Sequence, residues 1–191
     1  MRIVAGSAKG RKIEAPKGID VRPTTDRVRE ALFSSLAFRI VDNRVLDLFA
    51  GTGALGLEAL SRGAASAVFV DRSKSSADLV RHNIALCGFQ GRASVLVRDA
   101  VAAVQQLKAD GKQFDLIFLD PPYLGPMLEG ALCALSDAAL LDSGGLILAE
   151  HPAESSPEMP DGFTITRTKR YGKTVLSFVQ RTLDLEQAEQ E

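Results

Sequence analysis

Apolar residues recur along this chain in two alternating rhythms. Short runs rich in Val, Ile, Leu and Phe are separated by longer stretches in which apolar positions return every three or four residues. The runs are predicted strands: Val45 to Phe49, Ala67 to Val70, Ala93 to Val97, Phe114 to Leu119 and Leu146 to Ala149. The stretches between them are predicted helices: Leu55 to Leu60, Ser73 to Cys87 closed by Gly88, Val101 to Leu107 and Met127 to Leu135. Phe114 to Leu119 is apolar at almost every position, as a parallel strand covered on both faces should be. Strand and helix in alternation argue for an α/β fold built on a doubly wound, mostly parallel sheet. Phe163 to Thr168 and Thr174 to Val179 alternate around Tyr171-Gly172, predicting an antiparallel hairpin that closes the sheet at seven strands.

Ahead of this core, Arg2 to Ala5 and Arg11 to Ala15 predict short strands about the turn Gly6-Ser7-Ala8-Lys9-Gly10, followed by a loop through Pro16, Gly18 and Pro23. Thr24 or Thr25 is placed to cap the next helix, whose apolar face is Val28, Ala31, Leu32, Ser35 and Leu36. That helix is expected to pack on the sheet and carry the small hairpin with it. The expected organisation is an arm over 1–23, an α/β domain over 24–182 and a frayed acidic tail over 183–191.

Composition changes this picture little until charge is divided along the chain. The net charge is −1, yet Met1 to Arg29 holds eight bases against three acids, and the last eight residues hold four acids and no base. A basic end supplies what binding to nucleic acid phosphates requires, although a solvated tail would look the same. Cys87 and Cys133 stand far apart with no metal-ligand spacing, so both read as small buried residues, and His82 and His151 make no metal site. No apolar run approaches the ~20 residues of a membrane span, and the N-terminus lacks a signal-peptide core. A cytoplasmic monomer without membrane contact is expected.

The chemistry concentrates at strand ends. Gly51, Gly53 and Gly56 follow the first strand in G-x-G-x-x-G spacing, which lets the backbone approach a nucleotide-like ligand at a helix N-terminus. Dinucleotide enzymes share this spacing; Asp47 tips the balance, because a carboxylate there would repel a pyrophosphate and favour the ammonium and sulfonium of S-adenosylmethionine (SAM). Asp71, at the tip of the second strand, is placed to accept from both ribose hydroxyls. Asp99, with Ala100 after the third strand, either bonds the adenine amine or caps the next helix. The fourth strand ends at Asp120-Pro121-Pro122-Tyr123. The prolines remove N–H donors and leave carbonyls to face the cleft, Asp120 adds an acceptor, and Tyr123 can stack on a base. A site rich in acceptors suits an exocyclic amine as methyl acceptor.

With these residues in view, the chain resembles the RsmD family of bacterial methyltransferases, which modify guanine in small-subunit ribosomal RNA. The resemblance runs from Arg2 to about Val179. It is carried by Arg-Ile-Val-Ala-Gly with Lys-Gly-Arg-Lys, by Arg22-Pro-Thr-Thr-Asp-Arg-Val-Arg-Glu-Ala-Leu-Phe33, by Asp47-Leu-Phe-Ala-Gly-Thr-Gly and by Asp120-Pro-Pro-Tyr. It implies a Rossmann-like methyltransferase sheet and SAM contacts at Asp47, Phe49, Gly51, Gly53, Asp71 and Asp99. It implies target-base contacts at Asp120, Pro121 and Tyr123, and as partner 16S rRNA or an assembling small ribosomal subunit. The basic residues Lys9, Arg11, Lys12, Arg22 and Arg27 are the expected RNA contacts. Three other readings compete. A DNA adenine or cytosine amino-methyltransferase would need a target-recognition region for which there is no room. A nicotinamide oxidoreductase would want a Tyr-x-x-x-Lys relay that is absent, and a non-catalytic rRNA-binding assembly factor would not require Asp120.

Overall fold

The computed structural model describes residues 1–16, 23–36, 39–121 and 126–188, with the side chains of all of these except 23–28. Arg22, Pro122 and Tyr123 lie outside the described residues, as does the Arg27 side chain. The chain forms two compact units, Met1–Asp99 and Ala100–Glu191.

The first unit holds α1 (Pro23–Ser35), β1 (Arg44–Asp47), α2 (Ala54–Ser61), β2 (Ser66–Asp71), α3 (Lys74–Cys87) and β3 (Ala93–Val97). Its strands lie in the order β3-β2-β1, all parallel. Helix α3 starts where the Ser73 hydroxyl accepts from Ser76 N at 3.3 Å and stops at Gly88, whose φ of 77° lets the chain reverse. The second unit holds α4 (Ala100–Ala109), β4 (Phe114–Leu119), α5 (Pro126–Ala138), β5 (Leu141–Pro152), β6 (Phe163–Tyr171), β7 (Thr174–Arg181) and α6 (Thr182–Ala188). Its strand order is β4-β5-β7-β6, with β4 and β5 parallel and β7 antiparallel to both neighbours. Within the first unit all strands are parallel, and within the second only β7 runs against its neighbours, closing the predicted hairpin with β6.

Four elements depart from expectation, the first being α1, which begins at Pro23 and so takes in Thr24 and Thr25 rather than being capped by either. Strand β5 begins at Leu141, five residues early, because Phe114 pairs with Leu141 and Leu116 with Leu146, so the Asp142–Gly145 stretch bulges out of the ladder and then rejoins it. The tail is helical over Thr182–Ala188: the Asp184 carboxylate accepts from Gly144 N at 2.9 Å and pairs with Arg181 at 3.8 Å. The paired strands of the arm reduce to one antiparallel bridge, Arg2 to Lys12, because Val4 N and Ala5 N donate to Glu58 instead of continuing a ladder.

That last feature also changes how the arm is held. Helix α1 holds it through Arg29, whose Nη2 donates to the Arg2 carbonyl at 2.7 Å, and α2 and α3 hold it as well. Glu58, 0% exposed on α2, accepts from Val4 N at 2.8 Å, Ala5 N at 3.0 Å and Arg62 Nε at 2.8 Å. Ser61 accepts from Ala8 N through its hydroxyl at 2.9 Å and from Ser7 N through its carbonyl at 2.7 Å. Gly6 is required at this crossing: its φ is 83°, and a Cβ there would sit 1.8 Å from the Ser61 carbonyl oxygen. Asn83 on α3 accepts from Glu14 N at 2.8 Å and donates to Glu14 O at 3.0 Å and to Thr52 O at 2.9 Å. Ile3, Ala8 and Ile13 fill the space beneath.

Cys87 is buried as expected, and burial pushes its thiol pKa up against the pull of Arg11, whereas Cys133 is exposed. His151 is buried and structural. Its Nδ1 donates to the Pro152 carbonyl, which can only accept, at 2.9 Å, and its Nε2 lies 2.8 Å from the Ser177 hydroxyl. Among the described residues, no helix is long and apolar enough to cross a membrane.

Candidate active site

In the first unit, the glycine turn is built from three glycines with three different reasons to be glycine. Gly51 and Gly53 take φ of 54° and 79°, which L side chains rarely adopt. Gly56 lies inside α2 with ordinary backbone, but a Cβ there would lie 2.3 Å from Cε1 of the fully buried Phe69 ring. It sets the close packing of α2 on β2. Alanine would gain ~1 kcal/mol in helix propensity, yet a methyl forced against a locked ring costs about 1–3 kcal/mol. The overlap wins. Gly56→Ala is therefore expected to lower the midpoint of thermal unfolding by several degrees, and calorimetry of the pure variant checks it.

Two carboxylates fix this turn. Asp47, at the end of β1 and 2% exposed, accepts from Gly56 N at 3.0 Å through Oδ2. Its charge sits beneath the turn, stabilising the helix N-terminus above it. Asp71, at the end of β2 and half-buried, accepts from Gly51 N at 2.9 Å through Oδ2 and from Ser73 N at 2.8 Å through Oδ1. Each oxygen keeps a second lone pair for a hydroxyl donor. Arg98 N donates to the Asp71 carbonyl at 3.1 Å, which ties the end of β3 to the end of β2 and leaves Asp99 exposed there. Phe49 is half-buried after β1.

These residues suit the adenosyl part of SAM. Among the described residues, leaving aside Gly51 and its two chain neighbours, no atom lies within 4 Å of where a Cβ on Gly51 would stand, so the turn presents an open backbone cradle. Asp71 borders that cradle through its bond to Gly51.

In the second unit, Ala100 is the first residue of α4, and Asp120 and Pro121 follow the end of β4. The Leu119 to Ala149 register places Glu150 of β5 level with Asp120. Asp120 is exposed to water, and desolvation of its carboxylate by the surrounding protein pushes its pKa up to about 6. Glu150 is half-buried; its pKa is pushed up to about 8, first by burial and then by the Asp120 charge beside it. Near neutral pH the pair thus holds Asp120 largely ionised and Glu150 largely protonated, a division a single negative charge favours in a shared site.

A stability effect follows from the Glu150 shift. The folded protein keeps this proton between the ordinary glutamate range and about pH 8 while the unfolded chain has lost it, so its contribution declines as pH rises through that window. Glu150→Gln cannot ionise. The variant is expected to match the parent at pH 5 and to exceed it at pH 9 by on the order of 2 kcal/mol, read from denaturant unfolding at both pH values.

In the arm, Lys9, Arg11 and Lys12 are exposed, and Arg11 Nη1 donates to the Leu86 carbonyl at 2.6 Å near the C-terminus of α3. Arg11 is thus partly a strut. The residues that sequence reading passes over are Glu58, Ser61, Asn83 and Glu150. Asn83 carried a signal: it falls on the Ala77, Val80, Ile84 and Cys87 face of α3, where a polar residue must find partners. Glu58 carried one too, as the only charge in the Ala54–Ser61 helix.

Residues 1–180 match the model of the family described as conserved hypothetical protein 95. Ribosomal RNA small subunit methyltransferase D of Escherichia coli is 38% identical over 182 residues, covering 95% of this chain and 90% of the relative. The protein of the same name from Haemophilus influenzae is 31% identical over 172 residues, covering 90% and 89%. Among solved structures, an Escherichia coli protein described as a methyltransferase, yhhF, superposes with a TM-score of 0.84 at 36% identity, covering 95% of this chain and 97% of the other. A glycine cradle fixed by two carboxylates, an acceptor at the end of β4 and this end-to-end similarity lead to one assignment: the chain belongs to the conserved hypothetical protein 95 family, that of the small-subunit rRNA methyltransferases D.

Proposed function

We infer that this chain is a SAM-dependent rRNA methyltransferase that acts on the exocyclic N2 amine of a guanine in 16S rRNA. The observation that carries the reading is Asp120: an exposed carboxylate at a strand end, its pKa raised to about 6, next to a proline that offers a carbonyl and no N–H. When bound, SAM supplies an activated methyl group on a sulfonium. Gly51, Gly53, Phe49, Asp71, Asp99 and Ala100 hold it, and Asp47 keeps the turn in place from below while lending negative charge nearby. The base amine is a weak nucleophile because its lone pair is delocalised into the ring. Hydrogen bonds to Asp120 and to the Pro121 carbonyl favour a pyramidal nitrogen and aim the lone pair. Asp120, largely ionised at neutral pH, then accepts the proton that the methylated nitrogen sheds. Tyr123 stacks on the extruded base, and Pro122 belongs to the same base-contacting motif. Lys9, Arg11, Lys12, Arg22 and Arg27 contact RNA phosphates, and the substrate is an assembling small subunit in the cytoplasm. The enzyme works as a monomer.

The test is direct. Small-subunit rRNA from a strain lacking the gene should lack one N2-methylguanosine, and the purified chain with methyl-labelled SAM should restore it. Label appearing on adenine or cytosine, or on DNA, would assign the chain to the competing class of amino-methyltransferases.

A further inference from the structure

We propose that the β6–β7 hairpin is a second RNA-holding surface, in which Arg167, Lys169, Arg170 and Lys173 bind the phosphates of the single-stranded segment flanking the nucleotide presented to Asp120. The inference rests on the rRNA substrate proposed above.

The first observation is charge. From Gly162 to Leu183 the chain carries Arg167, Lys169, Arg170, Lys173 and Arg181 and no acid, in a protein whose 24 acids outnumber its 23 bases. Strand β6 is the edge of the sheet, and a charge or two on an edge strand discourages strand addition by another chain. That need is indifferent to sign and is met by one lysine. Four like charges within seven residues repel one another and find no acid to offset them: among the described residues none of the four forms an ion pair. Such a cluster is stabilised when an anionic polymer is present.

The second observation is presentation. Arg167, Arg170 and Lys173 are exposed and Lys169 is half-buried. Two of these side chains are held in place by uncharged groups, which leaves their charge available. The Arg167 guanidinium stacks 5.4 Å over the Phe178 ring, and Arg170 Nε donates to the Gly172 carbonyl at 3.0 Å.

The third is position. Leu119 pairs with Ala149, which sets Asp120 level with Glu150; Glu150 pairs with Leu176, and Leu176 with Lys169. Asp120 and Lys169 therefore share one register line, separated by the β4–β5, β5–β7 and β7–β6 spacings, about 14 Å in all. That is the span of a short single-stranded run. A base drawn to Asp120 leaves its neighbours' phosphates within reach of the hairpin, inside one compact unit. The occupant is the RNA backbone, because the groups offered are donors and positive charges without a hydrophobic patch among them.

The experiment compares the parent chain with K169E/R170E/K173E in binding a 16S rRNA fragment across a salt series, alongside methyl transfer and SAM titration. Arg167 is left intact because it packs on Phe178. The expected result is a tenfold or greater loss of RNA affinity and a salt dependence shallower by about two to three. SAM affinity, unfolding temperature and turnover at saturating RNA should be unchanged. An equal slope and equal affinity would overturn the proposal, as would loss of methylation confined to ribonucleoprotein substrate with naked RNA bound normally, since the surface would then meet a protein. If the triple reversal does not fold, the neutral pair R170Q/K173Q carries the same test, with a slope shallower by one to two expected and an unchanged slope overturning the proposal. A parent chain that never methylates rRNA would refute the proposed function. A parent that does, with the variants equal to it in affinity, slope and kcat/KM, would refute only the role of the hairpin.

Discussion

Asp120→Ala is expected to leave SAM affinity within a few-fold of the parent and to reduce methyl transfer to rRNA by about 10²–10³-fold, the usual loss when a positioned electrostatic partner is removed from a reacting group. The division follows from where the residue stands. The proposed cradle for the adenosyl group, Gly51, Gly53 and Asp71, lies in the first unit, whereas Asp120 follows β4 in the second. Single-turnover transfer measured with saturating SAM separates binding from chemistry. Parent turnover in the variant would remove Asp120 from the mechanism. The pH profile gives an independent check. With its pKa raised to about 6, Asp120 gains its charge as pH rises through that value, so the parent rate should climb there and then level. Asp120→Asn retains one acceptor oxygen but cannot ionise. It should lose that limb while keeping more activity than the alanine variant, which separates hydrogen bonding from charge.

Glu58→Ala has the largest expected effect on the fold. The carboxylate is 0% exposed and accepts from Val4 N, Ala5 N and Arg62 Nε. Alanine leaves two backbone amides and a guanidinium that stacks over Phe33 without their acceptor. Removing one side of such a buried charged network costs about 3–5 kcal/mol, and at this chain length that lowers the unfolding temperature by roughly 10 °C. The arm should come loose before the rest unfolds, because these bonds join it to α2. Hydrogen exchange is the appropriate measurement: protection at Val4, Ala5 and Ala8 should be lost while β1 and β2 stay protected. Uniform loss across the first unit would mean that the arm is an inseparable part of its core. Weaker RNA binding with near-normal SAM binding should accompany arm release, since Lys9 and Lys12 lose their fixed position.

Asn83 makes the arm more than an appendage. It bonds the Glu14 backbone on one side and the Thr52 carbonyl of the glycine turn on the other. The arm and the glycine turn therefore share a buried connector. One polar side chain, fully satisfied, ties the two together.

Much of this protein could be read from local sequence. Strands β3 and β4 fall where the apolar runs begin and end, and α3 starts and stops at Ser73 and Gly88, because periodicity and capping are properties of neighbours in the chain. The glycine turn and Asp120-Pro121 were legible for the same reason: their chemistry depends on residue types a few positions apart. The start of β5 was not, since Gly144 and Gly145 look like a loop unless Leu141 is known to pair with Phe114. Cys133 looked buried by residue type, and which face of α5 meets solvent is decided by what packs on it.

By itself the sequence determined the kinds of elements, their order, the glycine turn, the carboxylate at the end of β4 and the family. Only the tertiary structure decided which groups meet across long separations. Glu58 finds Val4 across 54 positions, Asn83 finds Glu14 across 69, and Glu150 comes level with Asp120 to share a charge. Local rules cannot name those partners, because a buried polar group is satisfied by whatever the fold brings within 3 Å or so of it, and that proximity is a property of the whole packed chain.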